Sequence, residues 1–140
     1  MEVKAKARFI RMSPRKVRLV VDVIRGKKVG EARTQLQFMK KAAAEPVLKL
    51  LNSAVANASH NFDLNEASLF VKEVRADEGP TLGRWRARAF GRAAPIRKRT
   101  THISMILEDK TKKLETEKKD EKSESKKEKT SKKEDKPNNK

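Results

Sequence analysis

Residues 80–102, PTLGRWRARAFGRAAPIRKRTTH, are the stretch that most limits how this chain can fold. They include seven basic residues and no acidic one. A segment this charged cannot pack against a core of its own, because its cations repel one another and are almost never buried without a partner. We therefore expect the stretch to project from the body of the protein and to become ordered against a polyanion.

The spacing within this stretch predicts a long β-hairpin. Basic side chains alternate with small or aromatic ones over residues 84–89, and a period of two is typical of a strand. Phe90 and Gly91 suit a turn, after which a second arm passes through residues 96–99. Two arms of about eleven residues would reach roughly 35 Å. The seven cations are Arg84, Arg86, Arg88, Arg92, Arg97, Lys98 and Arg99.

Strands are predicted on both sides of the basic stretch. Residues 67–76 are rich in β-formers, residues 77–80 (DEGP) have strong turn chemistry, and residues 102–107 (HISMIL) form another strand. The simplest topology pairs the two strands antiparallel, so that the hairpin extends beyond the end of the sheet.

A third strand is predicted at residues 2–10, where basic and apolar side chains alternate. Lys4, Lys6 and Arg8 would form an exposed basic face. The opposite face would direct Val3, Ala5, Ala7 and Phe9 toward the core.

Three helices should cover this sheet. Ser13 as N-cap and Pro14 in the first helical position begin one helix, which Gly26 ends. Apolar periodicity predicts a short helix over residues 30–39 and a longer one over residues 42–60. A small three-stranded antiparallel sheet packed with three helices, with a protruding hairpin, is an α+β fold.

The first helix has an unfavourable charge pattern. Arg15, Lys16 and Arg18 occupy its first turns, where the helix dipole disfavours each positive charge by about 0.3–1 kcal/mol. A bound phosphate would remove this conflict. Our hypothesis is that Arg11, Arg15 and Lys16 form a phosphate site at the start of this helix; long, solvated side chains are an equally good explanation from charge alone.

Overall charge favours a nucleic-acid partner. The chain has 36 basic and 19 acidic residues, a net charge of +17 and no cysteine.

Residues 110–140 have Leu114 as their sole large apolar residue, which predicts a disordered charged tail after a globular domain at 1–109. No signal peptide or membrane span is apparent.

No catalytic or metal-binding pattern emerges, and no cofactor is predicted. His60 and His102 are far apart in sequence, and a phosphate or base contact suits His102, beside the arms. Trp85 and Phe90 could stack on unpaired bases or pack on the body. Two alternatives stay open: a DNA-binding module using residues 30–60, and a membrane-surface protein using residues 14–25.

Five motifs carry a family resemblance: SPRKVRLVVDVIRGKK at residues 13–28, NSAVANASHN at 52–61, DEGP at 77–80, RAFGRA at 88–93 and His-Ile at 102–103. The most specific element is RAFGRA followed by a basic arm and His-Ile. These motifs resemble the bacterial type of the large-subunit ribosomal protein twenty-two family, with a Lys/Glu-rich C-terminal extension. The resemblance covers residues 1 to about 109.

The resemblance implies a non-enzymatic component of the large ribosomal subunit in the cytoplasm. Such proteins bind 23S-type rRNA, contact other large-subunit proteins and aid early assembly, with no membrane association. Their hairpin tip lines the nascent-polypeptide exit tunnel. Gly83 and Ala87 depart from the family pattern, and both should loosen the first arm.

The candidate site residues form two sets. The resemblance implies that the tunnel-side tip is Arg88, Ala89, Phe90, Gly91 and Arg92. The predicted rRNA-binding residues are Lys4, Lys6, Arg8, Arg11, Arg15, Lys16, Arg18, Lys27, Lys28, Arg84, Trp85, Arg86, Arg97, Lys98, Arg99 and His102.

Overall fold

Three helices and five strands follow one another in the order that the sequence predicts. The structure is a computed structural model that describes residues 1–109; the predicted tail lies outside the described residues. The elements are β1 (Glu2–Ile10), α1 (Pro14–Ile24), α2 (Val29–Phe38), α3 (Ala44–Phe62), β2 (Leu69–Glu78), β3 (Leu82–Ala87), β4 (Ala93–Lys98) and β5 (Thr101–Asp109). The predicted α+β fold is confirmed.

The main sheet has three antiparallel strands in the order β1-β5-β2. β5 is therefore hydrogen-bonded on both sides, and its side chains alternate between a buried and a half-buried face. Ile103, Met105 and Leu107 face the helices and are at most 1% exposed. The predicted antiparallel pairing of the strands that flank the basic stretch is confirmed, with Glu78 opposite Thr101 at the end where the hairpin leaves.

α1 forms despite its unfavourable charges because its apolar stripe is completely buried. Val17, Val20, Val21 and Ile24 are each at most 1% exposed. Burying a side chain of this size stabilises the fold by about 1.5–3 kcal/mol, more than one cation near the helix start costs. Ser13 occupies the N-cap position as predicted, although its hydroxyl makes no capping hydrogen bond.

Two backbone hydrogen bonds join the end of α1 to β2, the strand that leads into the hairpin. Gly26 follows the C-cap residue with a φ of 76°, a left-handed conformation that glycine adopts without strain. Its N–H donates to Val71 O at 2.8 Å, and Val71 N–H donates to Lys27 O at 2.9 Å. The predicted glycine stop is thus also an attachment point for β2.

Phe9 does not face the core, and that prediction is wrong. The register with β5 shifts between Ala7 and Ile10, where β1 has one more residue than its partner. Such a bulge interrupts the alternation of faces. Phe9 adopts a φ of 58° and is 60% exposed, while Ile10 packs against the core instead.

Buried threonines fix the base of the hairpin. Thr100 and Thr101 are at most 5% exposed. Thr100 Oγ1 donates to Pro80 O at 2.7 Å, and Thr101 Oγ1 donates to Met12 O at 2.6 Å. Gly79 N–H donates to Thr100 O at 3.0 Å, which closes the base between the two arms.

The hairpin is a separate two-stranded ladder. Pairing is continuous from Leu82 opposite Lys98 to Ala87 opposite Ala93, so the departures at Gly83 and Ala87 leave the first arm paired. Each paired arm has six residues, or about 20 Å, because the predicted length of roughly 35 Å also counted the unpaired base and tip. The predicted turn is confirmed: Phe90 and Gly91 have φ values of 55° and 67°.

Gly79 tests how firmly the base is held. A Cβ at this position would lie 2.5 Å from Thr100 Oγ1, and that hydroxyl cannot withdraw without losing its bond to Pro80. We expect Gly79→Ala to lower the free energy of unfolding by about 1–3 kcal/mol in urea titrations. Gly83→Ala is the matched control, since nothing lies within 4 Å of its added methyl group. Equal stabilities of the two variants would contradict this account.

Candidate nucleic-acid interface

The hairpin presents cations on both of its faces. In an antiparallel pair, residues opposite each other point to the same side. Arg84 and Arg86 therefore share one face with Lys98, which lies opposite Leu82. Trp85, opposite Pro95, shares the other face with Arg97, which lies opposite Gly83. A partner that neutralised these charges would have to contact both faces.

The hairpin has no core of its own. Every residue from 82 to 99 is exposed except the half-buried Ala94. Trp85 is 74% exposed and Phe90 is 98% exposed, so neither packs on the body. Within the described residues, the one salt bridge to a hairpin cation joins Arg99 Nη1 to Glu78 Oε1 at 3.5 Å. Arg84 Nη1 donates to the backbone oxygen of Gly83 at 2.7 Å, and its charge, like that of the other five hairpin cations, is not neutralised by an acidic side chain in the described residues.

A basic groove lies where the second arm meets the body. It has a volume of about 830 Å³ and is formed by the segment before α1, the start of α1, the loop before α3 and the end of β4. Seven of its twelve lining residues are basic and none is acidic. We call these residues the basic groove: Arg11, Met12, Ser13, Lys16, Leu19, Lys40, Lys41, Ala42, Ala43, Arg97, Lys98 and Arg99.

The groove brings together candidates that are far apart in sequence. Arg11 and Lys16, from the predicted phosphate site, share it with the predicted arm residues Arg97, Lys98 and Arg99. Arg15 is exposed but does not line it. Cations that converge without acidic neighbours concentrate positive potential, and a polyanion relieves their mutual repulsion. The groove is suited to a phosphodiester backbone.

Lys40 and Lys41 are groove residues that sequence reasoning missed. They form a basic pair shortly after the end of α2, as Lys27 and Lys28 do after the end of α1. The two adjacent lysines after a helix were the sequence signal that could have identified them. Only the folded chain shows that the loop returns to the start of α1.

Two predicted cations on the body of the protein donate hydrogen bonds to other residues of the body. Arg18 Nε donates to Ala76 O at 3.1 Å, which joins α1 to β2. Lys27 Nζ donates to Gln35 Oε1 at 2.7 Å and is half-buried. Lys28 is exposed at the N-cap of α2. Arg18 and Lys27 therefore have structural contacts in addition to any contact with RNA.

The sheet face opposite the helices carries mixed charge. Lys72 Nζ lies 2.5 Å from Glu2 Oε1 and 3.2 Å from Glu108 Oε2. The ammonium group lowers the pKa of Glu2, and the two carboxylates raise the pKa of Lys72. Lys4, Lys6 and Arg8 are exposed on this face as predicted, and none makes a salt bridge within residues 1–109.

His102 lies between this face and the hairpin base. Its Nδ1 accepts a hydrogen bond from Phe9 N–H at 3.0 Å. Nε2 is thus the one ring nitrogen left for the predicted RNA contact.

In the described part of the chain, no group of three or more His, Cys, Asp or Glu residues could hold a metal ion. Among residues 1–109, no helix has the length and apolar character needed to cross a membrane.

The body is a basic α+β domain, and its hairpin has exposed cations, no acidic residue and no hydrophobic core. A clustered basic surface of this kind is typical of proteins that bind nucleic acid. Residues 5–108 match the family model described as ribosomal protein L22p/L17e. The chain therefore belongs to this ribosomal protein family, as its motifs predicted, and not to a family of enzymes.

Named relatives agree with the family assignment. The protein of Desulfitobacterium hafniense strain DCB-2 is 59% identical over 109 residues, which are 78% of this chain and 96% of the relative. Those of Macrococcus caseolyticus and Syntrophus aciditrophicus are 59% and 56% identical over 110 residues, 79% of this chain and 89% and 100% of the relatives. All three are called large ribosomal subunit protein uL22.

Lys41 provides a test of the basic groove. We expect Lys41→Gln to weaken binding to in vitro transcribed 23S-type rRNA severalfold, because one phosphate contact is lost. The slope of log affinity against log salt should fall by about 1. Lys49→Gln is the control: Lys49 is exposed on α3, outside the groove, and is paired with Glu45 at 2.8 Å. Identical salt slopes for both variants and the unaltered chain would exclude a phosphate contact of Lys41 in the groove.

Proposed function

We propose that this chain is a structural component of the large ribosomal subunit that binds 23S-type rRNA. The observation that best supports the proposal is the hairpin with exposed cations on both faces and no acidic residue. A flat surface of RNA would neutralise one face and leave the other charged. The hairpin therefore passes between rRNA segments that contact both faces.

The body and the hairpin have different tasks in this binding. The basic groove holds a stretch of phosphodiester backbone beside the start of α1. Arginines along the arms bind phosphates, for which the planar guanidinium group offers two parallel donors. Lys98 and Arg99 at the hairpin base belong to both surfaces, so the two contacts are fixed relative to each other.

This arrangement also supports a role in early assembly. A hairpin without a core gains a fixed position only when RNA surrounds it. RNA segments on its two faces are in turn held at a set distance by a strand pair. Binding of the chain thus joins separate parts of the rRNA, and neighbouring large-subunit proteins can then dock on a defined surface.

The hairpin tip is proposed to line the nascent-polypeptide tunnel. Phe90 projects from the end of the hairpin and is almost fully exposed, next to the small residues Ala89 and Gly91. Arg88 N–H donates to Arg92 O at 2.8 Å, so these two arginines flank a closed turn. The arginines contact rRNA at the tunnel wall, while the small residues leave room for the emerging polypeptide.

A photocrosslinking amino acid at position 90 tests this placement. In large subunits that contain the Phe90→p-benzoylphenylalanine variant, we expect crosslinks both to rRNA and to a stalled nascent polypeptide, because the tip reaches the tunnel. The same substitution at Phe38, which is 80% exposed at the end of α2, is the control and should not crosslink to the nascent polypeptide. Crosslinks from position 90 to rRNA alone would place the tip away from the tunnel, and crosslinks to neither would remove the proposal.

A further inference from the structure

Phe9 is exposed in a backbone conformation that opposes folding. Its φ of 58° lies in the left-handed region, which is sparsely populated by residues other than glycine, asparagine and aspartate. Its ring is 60% exposed, so burial offsets little of this cost. Strained residues of this kind persist where the surrounding structure holds them and often mark binding sites.

His102 holds Phe9 in place. Its Nδ1 accepts the Phe9 N–H at 3.0 Å, and the two rings meet edge to face with centroids 4.8 Å apart. A Cβ on Gly79 would lie 3.1 Å from His102 Nε2, so the absence of a side chain there lets the imidazole ring fit against the hairpin base. The exposed Phe9 ring is thus presented by a fixed set of contacts.

A shallow pocket of about 320 Å³ adjoins the ring, separate from the basic groove and from the hairpin arms. Two cations, Lys6 and Arg8, lie on its β1 side. The Asp77 carboxylate lies on its β2 side and makes no hydrogen bond or salt bridge to another described side chain; its charged neighbour Arg75 is hydrogen-bonded to Glu73. The pocket is lined by Lys6, Ala7, Arg8, Phe9, Asp77, His102, Ile103 and Ser104.

We propose that this pocket binds one unpaired nucleobase of the RNA, which stacks on Phe9. Asp77 accepts a hydrogen bond from an amino group of the base, as carboxylates do from cytosine. Lys6 and Arg8 bind the phosphates that flank the nucleotide. The inference rests on the proposed rRNA-binding function. It adds a contact with a base, made by Phe9 and Asp77, to the phosphate contacts that the cations make.

The surroundings of the ring favour a nucleotide over an apolar protein partner. An apolar side chain docked on Phe9 would take Lys6, Arg8 and Asp77 out of water and would offer none of them a hydrogen bond or a charge in return, which is costly. A nucleotide supplies a flat face for the ring, a donor for the carboxylate and negative charge for the cations.

Substitutions at position 9 separate binding from folding. We expect Phe9→Gly to raise the melting temperature of the free full-length chain, because glycine adopts a positive φ without strain. The same change should weaken binding to transcribed 23S-type rRNA at least about fivefold through loss of stacking. Phe9→Tyr should retain the affinity, whereas Phe9→Leu should lose it. Phe38→Leu, which removes an even more exposed ring outside the pocket, should have no effect.

Asp77→Ala provides a second test, in which the direction of the change in rRNA affinity decides between two roles of the carboxylate. If the carboxylate accepts a base amino group, its removal weakens binding; if it merely repels phosphate, its removal tightens binding and the proposed base contact is wrong. A single-tryptophan reporter, Phe9→Trp in a Trp85→Phe background, should be quenched by the same rRNA through stacking. Phe38→Trp in that background should not be quenched.

Other outcomes distinguish this inference from the proposed function. Unchanged affinity in Phe9→Leu, with Lys41→Gln still weakening rRNA binding, would overturn the base pocket and leave the function intact. The base pocket would also be overturned if Phe9→Leu impaired incorporation into subunits without changing affinity for bare rRNA, since Phe9 would then contact a protein. Binding of the unaltered chain to duplex DNA as tightly as to rRNA at matched salt would instead overturn the proposed function.

Discussion

The antiparallel ladder between β2 and β5 is the interaction on which the rest of the structure depends. β5 is the central strand, so its residues contribute both to the sheet and to the core that α1 and α3 cover. At Thr101 the ladder reaches the end of the body, and the buried hydroxyls of Thr100 and Thr101 hold both the hairpin base and the segment before α1. A coreless hairpin thereby has a fixed root although its arms pack on nothing.

Charge then determines what this geometry can bind. Guanidinium and ammonium groups on both faces of the hairpin have almost no acidic neighbours in the described residues, whereas Lys72 on the sheet is paired with Glu2 and Glu108. Cations with acidic neighbours, such as Lys72, thus stabilise the fold, whereas the hairpin cations are free to bind a polyanion. Since the basic groove shares Arg97 and Lys98 with the second arm of the hairpin, the unpaired cations form one continuous surface from the body onto the arm.

Periodicity was sufficient to predict the elements of the fold, because apolar stripes and turn residues are local signals. It failed at Phe9, where a single extra residue in β1 reverses which side chains face the core. For the site, the sequence identified the arm cations but not Lys40 and Lys41, whose contribution depends on a loop that returns to α1. It also could not separate Arg18, which bonds to Ala76, from cations that are free. Tertiary contacts decide these cases, and no local pattern encodes them.

In the proposed function, the hairpin is firmly anchored at its base but is held along its length only by RNA. Amide hydrogen exchange of residues 82–98 tests this directly, in the free chain and in assembled large subunits, with Met105 in the buried centre of β5 as the internal reference. An isolated two-stranded ladder is at best marginally stable, so in the free chain hairpin amides should exchange with protection factors below about 10, far under that of Met105. They should become strongly protected in the subunit. Hairpin protection equal to that of Met105 in the free chain would contradict the account.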